Sequence, residues 1–130
     1  MCPERSCPFC RIDPADVVLA NEHALAFYDR FPVTPGHALV VPRRHFASFF
    51  EATPEERTAL FELLGRVREL LLKERAPDAF NVGINDGVAA GQTVMHLHLH
   101  LIPRYAGDTE DPRGGVRWIM PVKAPCWKKG

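Results

Sequence analysis

The chain has 130 residues, 46% hydrophobic and 25% charged, which is ordinary for a soluble globular protein of one domain with a single core. Lys plus Arg and Asp plus Glu balance at 16 each, so no global field favours nucleic acid or an anionic membrane, and an anionic ligand needs a local site. Apolar runs are far too short to span a bilayer and Met1 to Cys7 has no secretory-type segment. A cytoplasmic protein is therefore expected, with its four cysteines as thiols or metal ligands rather than disulfides.

The first motif is Cys7-Pro8-Phe9-Cys10, a CxxC. A redox pair, half of a zinc site and an incidental pair of thiols all fit it. A redox pair belongs between a strand and a helix, and no helical pattern follows Pro14, so zinc is favoured if two more ligands exist. Val17 to Leu19 and Leu25 to Tyr28 read as a hairpin around Asn21-Glu22-His23. The Pro-rich and Gly-rich stretch from Phe31 to Gly36 is a loop that delivers His37 into a buried strand, Ala38 to Val41, stopped by Pro42. Arg43, Arg44 and His45 follow.

Thr53-Pro54-Glu55-Glu56 signals a helix start, with a capping threonine, proline at the first helical position and a glutamate to complete the box. Leu60, Leu63, Leu64, Val67 and Leu71 then recur at helical spacing, which predicts one long scaffold helix ending before Pro77. Phe80 to Asn85 reads as a strand with Phe80, Val82 and Ile84 inward. The loop from Asp86 to Thr93, with two glycines, an amide and a hydroxyl, suits a backbone that approaches an anion and donates to it.

That loop enters Met95-His96-Leu97-His98-Leu99-His100-Leu101-Ile102. Period-two alternation predicts one strand, closed by Pro103, with Met95 and the leucines in the core and three histidines in a row on the other face. The histidines could bind a catalytic metal that activates water, or one could attack phosphorus while its neighbours donate to phosphate oxygens. No evident carboxylate base adjoins the row, Asp86 being the nearest upstream, so the nucleophile mechanism is favoured. Val116 to Met120 reads as a last short strand, and the Pro-, Lys- and Trp-rich end as a surface extension or subunit contact.

The run His96-Leu97-His98-Leu99-His100-Leu101-Ile102 resembles the signature of the histidine triad (HIT) family, with every apolar position filled. The resemblance extends from about Cys7 to Arg104. It implies a HIT-like α+β fold, an antiparallel sheet of about five strands with one long helix and a short helix, usually paired as a homodimer. Residues 1–130 would form a single HIT domain, with 103–130 as an extension of it. It implies a nucleotide hydrolase or transferase working at the α-phosphate of dinucleoside polyphosphates or nucleoside phosphoramidates, with no organic cofactor. The rival expectation is a nucleotide-binding or interaction module with little activity.

By position in the motif, His98 would be the nucleophile, with His100 and His37 beside the α-phosphate. Gln92 and Thr93 would donate to phosphate oxygens, Asn85 would line that pocket, and Asp29 would hold the ribose. Phe27 and Leu39 would flank the base. By the same resemblance Cys7, Cys10, His45 and His96 would form a structural zinc site of tetrahedral type. His23 is read as surface, and Cys2 and Cys126 are given no role.

Overall fold

The computed structural model describes residues 7–128. Five strands form one antiparallel sheet: β1 (Leu19–Ala20), β2 (Ala24–Tyr28), β3 (Ala38–Pro42), β4 (Ala79–Gly83) and β5 (Leu99–Arg104). Their order across the sheet is β1-β2-β3-β5-β4, and a single long helix, α1 (Pro54–Arg75), connects β3 to β4. The architecture is the expected α+β arrangement. The short helix expected beside it is replaced among the described residues by several 3-10 turns. No described helix is long and apolar enough to cross a membrane.

Helix α1 starts where the sequence predicts. Thr53 Oγ1 accepts from the Glu56 N–H at 3.1 Å and Glu56 Oε1 accepts from the Thr53 N–H at 2.9 Å, satisfying two of the orphan donors of the first turn. Its buried stripe, Leu60, Leu63, Val67 and Leu71, packs on Ala24 and Ala26 of β2, Ala38 and Val40 of β3, and Leu97, Leu99 and Leu101. Small alanines on the two strands under the helix leave room for its leucines. Alternation sends Leu25, Phe27, Leu39 and Val41 to the opposite face, where Phe9 and Ile12 of the N-terminal segment join them. The sheet thus has a helix face and a second face under that segment.

Glu56 also anchors Arg44, whose Nε and Nη2 donate to its two carboxylate oxygens at 2.9 and 2.8 Å. The Arg44 guanidinium is the main cause that holds the Glu56 carboxyl down at about 2, against an ordinary 4.5. A depressed folded value means that the stabilisation is present in full above pH 4.5 and drains away as pH falls towards 2. Glu56→Gln is expected to lower stability by ~1–3 kcal/mol at neutral pH and to flatten the acid limb of the Tm-versus-pH curve across that window.

Three sequence expectations are corrected. The histidine segment pairs as a strand only from Leu99, and it runs on through Pro103 to Arg104. Residues 95–98 are held instead by bonds outside the sheet ladder, such as Leu97 N–H to the Phe46 carbonyl at 2.7 Å, and Met95 is 40% exposed. Pro103 is tolerated because β5 pairs with β3 only at Leu99, His100 and Leu101, so the proline sits beyond that ladder. Val82 is 48% exposed because β4 is the sheet's edge strand, although Phe80 on the same strand still packs on the core under Arg68 of α1. Gly115–Ile119 is a 3-10 turn rather than a strand, entered through Gly114 and Gly115 at φ of 96° and 46°.

Candidate active site

The second face of the sheet carries a cavity of about 840 Å3, large enough for a nucleotide-sized ligand. Of the residues expected at the site, His98, His100, Asp29, Phe27, Leu39, Asn85 and Thr93 line it, and His37 and Gln92 do not. Phe9, Ile12 and Tyr28 also line it, together with Arg11, Asp13, Asp16 and Arg30. None of these was singled out from the sequence. The only available signal was the CxxC: if Cys7 and Cys10 meet His96, the residues beside them must lie near His98.

Backbone hydrogen bonds set the protonation of each ring nitrogen. His98 Nδ1–H donates to the His96 carbonyl at 2.8 Å, which leaves the Nε2 lone pair free. His96 points its Nε2–H at the Pro42 carbonyl, also at 2.8 Å, and so keeps its lone pair on Nδ1. The row is therefore not three equivalent rings: carbonyls hold opposite nitrogens of His96 and His98. His96 is fully buried, and burial, the main cause, lowers its pKa.

His37 is delivered by the loop before β3. Gly36 turns the chain at φ 89°, the His37 N–H donates to Thr34 O at 3.2 Å, and its carbonyl accepts from the Asp29 N–H at 2.9 Å. His37 Nδ1 accepts from the Val33 N–H at 3.2 Å, so its proton lies on Nε2, which donates to His100 Nδ1 at 3.0 Å. His100 then carries its own proton on Nε2. Burial first, and then the neighbouring His98 and His37, push the His100 pKa down to about 4. Burial lowers that of His37 too, against the pull of Asp29. Both rings are neutral near pH 7, one donating to the other. His37 sits behind His100 rather than on the cavity wall.

The donor atoms of Asp29, His37 and His100 lie within 4.8 Å of one another, close enough for a metal ion. The Val33 N–H decides against that use. It occupies the Nδ1 lone pair, so the proton must stay on Nε2, the nitrogen that would have to ligate.

The second cluster is different. Cys7, Cys10, His45 and His96 bring four donor atoms within 4.8 Å of one another. Cys7 Sγ and Cys10 Sγ each lie 3.5 Å from His96 Nδ1, and His45 Nδ1 lies 3.2 Å from both Cys10 Sγ and His96 Nδ1. A tetrahedral ion with ordinary Zn–S and Zn–N bonds separates such ligands by about 3.3–3.7 Å. The set fits a metal, and the Nδ1 lone pair of His96 faces the common centre. Cys10 stands in a disulfide here, against the expectation of free thiols, while Cys7 and Cys126 are free. Ligation by Cys10 requires its reduced thiolate. Cys2 lies outside the described residues.

The glycine-rich loop is held from below. Gln92 is buried, with Nε2 donating to the Ala47 and Val94 carbonyls at 2.9 and 3.0 Å and Oε1 accepting from the Gly87 N–H at 2.8 Å. Its amide is thus engaged within the protein, whereas Thr93 is exposed to the cavity. Asp86 ties the same loop to the segment before α1, accepting from Ser48 Oγ at 3.0 Å and the Phe49 N–H at 2.9 Å.

The family model of the HIT domain matches residues 11–107. A HIT-like protein of Methanocaldococcus jannaschii is 43% identical over 108 residues, covering 80% of this chain and 83% of that protein. The asymmetrical bis(5'-nucleosyl)-tetraphosphatase of Schizosaccharomyces pombe is 45% identical over 94 residues, 72% of this chain and 52% of that enzyme. The crystal structure of a Zn-bound histidine triad family protein from Mycobacterium smegmatis superposes with a TM-score of 0.73 at 36% identity, over 82% of this chain and 80% of that one. The match spans His37, His98 and His100 alike, and the chain belongs to the HIT family.

Proposed function

We propose that the chain is a nucleotide hydrolase or transferase that cleaves at the α-phosphate of dinucleoside polyphosphates or nucleoside phosphoramidates through a nucleotidyl-histidine on His98. One observation carries the reading: the His96 carbonyl fixes the His98 proton on Nδ1, and the ring lines the cavity with its Nε2 lone pair free. The tetraphosphatase similarity supports the dinucleoside polyphosphate class.

In the first step His98 Nε2 attacks the α-phosphorus, an N–P bond forms, and the bond from phosphorus to the leaving group breaks. The Nε2–H of His100 donates to a phosphoryl oxygen, and His37 holds the ring that makes this donation. In the second step water adds to the same phosphorus and gives up a proton to solvent, the N–P bond breaks, and a nucleoside monophosphate leaves with the lone pair restored to His98. Thr93 and the loop amides donate to the phosphate, with Asn85 beside them. Gln92 acts here by holding that loop, or donates after exchanging an internal bond. Asp29 accepts from the ribose hydroxyls, and Phe27 and Leu39 flank the base.

Cys7, Cys10, His45 and His96 would hold zinc; four protein ligands leave no open position, so the ion supplies cross-linking rather than chemistry. The reading includes a cytoplasmic homodimer and no nucleic-acid partner.

Hydrolysis in 18O-labelled water tests the position of attack. The heavy oxygen is expected on the released nucleoside monophosphate and not on the leaving group. Label on the leaving group, or binding of both substrate classes without turnover, would refute the reading.

A further inference from the structure

Phe9 lies in the 3-10 turn Pro8–Cys10, between the two sulfurs that meet at His96. The Cys10 N–H closes the turn onto the Cys7 carbonyl at 3.3 Å. This aims the Phe9 ring at the second face of the sheet. Its centroid is 5.0 Å from that of His98, at an interplanar angle of 71°, and 5.4 Å from that of Phe27. It also lies 6.0 Å from His96 at 82°. The His100 ring stands 5.2 Å from His98, at 64°. His98 is thus bounded by Phe9 and His100, and among the described residues its ring makes one hydrogen bond, at Nδ1.

An imidazole turns about χ2 in a broad, roughly two-fold well. A half-turn of His98 would swap each ring nitrogen with a ring carbon, present carbon where the nucleophile should be, and break the bond to the His96 carbonyl that fixes the tautomer. One hydrogen bond of this kind contributes little net free energy, so packing has to supply much of the restraint. The ring placed to supply it belongs to the residue enclosed by the CxxC.

We propose that Phe9 is a positioning residue for the reaction, clamped by Cys7 and Cys10 against the His98 ring so that the cysteine–histidine centre and the nucleophile act as one mechanical unit. The proposal rests on the reading of His98 as nucleophile. It gives the cysteine–histidine centre a role beyond stability, since loosening the sulfurs frees Phe9 and, through it, His98. Phe9 also lines the cavity, so substrate affinity alone cannot report on the clamp.

The test is 15N-histidine NMR of the substrate-free full chain, with His98 signals assigned through His98→Gln, beside single-turnover rates of nucleotidyl transfer to the protein. Wild type is expected to show one His98 tautomer, protonated on Nδ1. Phe9→Ala is expected to break the Nδ1–H bond to the His96 carbonyl and let the two tautomers exchange, which draws the two 15N shifts together, and to slow the covalent step ~10–100-fold. Phe9→Leu, which keeps apolar volume and so guards against misfolding of the alanine variant, is expected to recover part of both. Reduced wild-type protein treated with a chelator is expected to lose the single tautomer as Phe9→Ala does.

Unchanged His98 spectra in both variants, or a loss confined to KM with the covalent step intact, would overturn the clamp. Because the spectra are read without substrate, the two ideas fail separately. A wild type that never forms nucleotidyl-His98 removes the assigned chemistry whatever the Phe9 variants show.

Discussion

His98→Ala is expected to lower kcat by ~10^3-fold or more and to abolish the covalent intermediate, while nucleotide still binds. The expectation follows from the division of labour among the rings. His98 alone combines a proton fixed on Nδ1 by a carbonyl with a free Nε2 on the cavity wall. His100 donates rather than attacks, so His100→Ala removes one hydrogen bond to the phosphate and is expected to cost ~10–100-fold. His37→Ala withdraws the donor to His100 Nδ1 and acts one step further back, so its effect should not exceed that of His100→Ala. Circular dichroism and Tm of the His98 variant separate chemistry from folding. The truncation leaves a small void beside Phe9, and a Tm close to wild type is expected. A His98 variant with kcat within tenfold of wild type would sink the assignment.

The second large effect is expected at the cysteine–histidine centre. Cys7 is buried, its sulfur 3.5 Å from His96 Nδ1, and it joins the N-terminal segment to the last residues before β5. Protein purified under reducing conditions without added metal is expected to carry about one zinc per chain. Cys7→Ser is expected to lose that zinc and to lower Tm by ~10 °C, because metal affinity held only by the folded chain is folding free energy. A chelator should do the same to wild type and nothing further to the variant. Elemental analysis and differential scanning calorimetry read both quantities. No zinc in reduced protein, or a Tm indifferent to chelation, would contradict the assignment.

Much of this arrangement was legible because it depends on local chemistry. Thr53, Pro54 and Glu56 start a helix wherever they stand before an apolar stripe, and they do so here. The alternation of leucine and histidine assigned faces correctly for Leu99 and Leu101, whose burial is fixed by the pleat, and Leu97 is buried although it precedes the strand. What the sequence hid depends on which elements lie side by side. Val82 follows the period of a half-buried strand, but β4 is the edge of the sheet and Val82 is left 48% exposed. Pro103 looks like a stop, yet it is acceptable two residues beyond the end of the β3 ladder.

The candidate site divides in the same way. Its histidines were legible from spacing and resemblance, and the geometry adds their tautomers and the order in which they donate. Gln92 has the right chemistry for a phosphate donor, but its place under the loop engages it with Ala47, Val94 and Gly87. Phe9 and Ile12 were silent, because an apolar residue in a surface-like N-terminal segment gives no sign of packing across the second face of the sheet.

The most direct measurement is rapid quench of reduced protein with a substrate labelled in the nucleoside α-phosphate, split between acid and alkaline stops and followed by peptide mapping. A phosphoramidate is acid-labile and base-stable. The expected result is protein-bound label that survives alkali, is lost in acid, appears before nucleoside monophosphate, and maps to the peptide containing His98. Nucleoside monophosphate formed with no label on the protein at any mixing time, or label on another residue, would contradict the account.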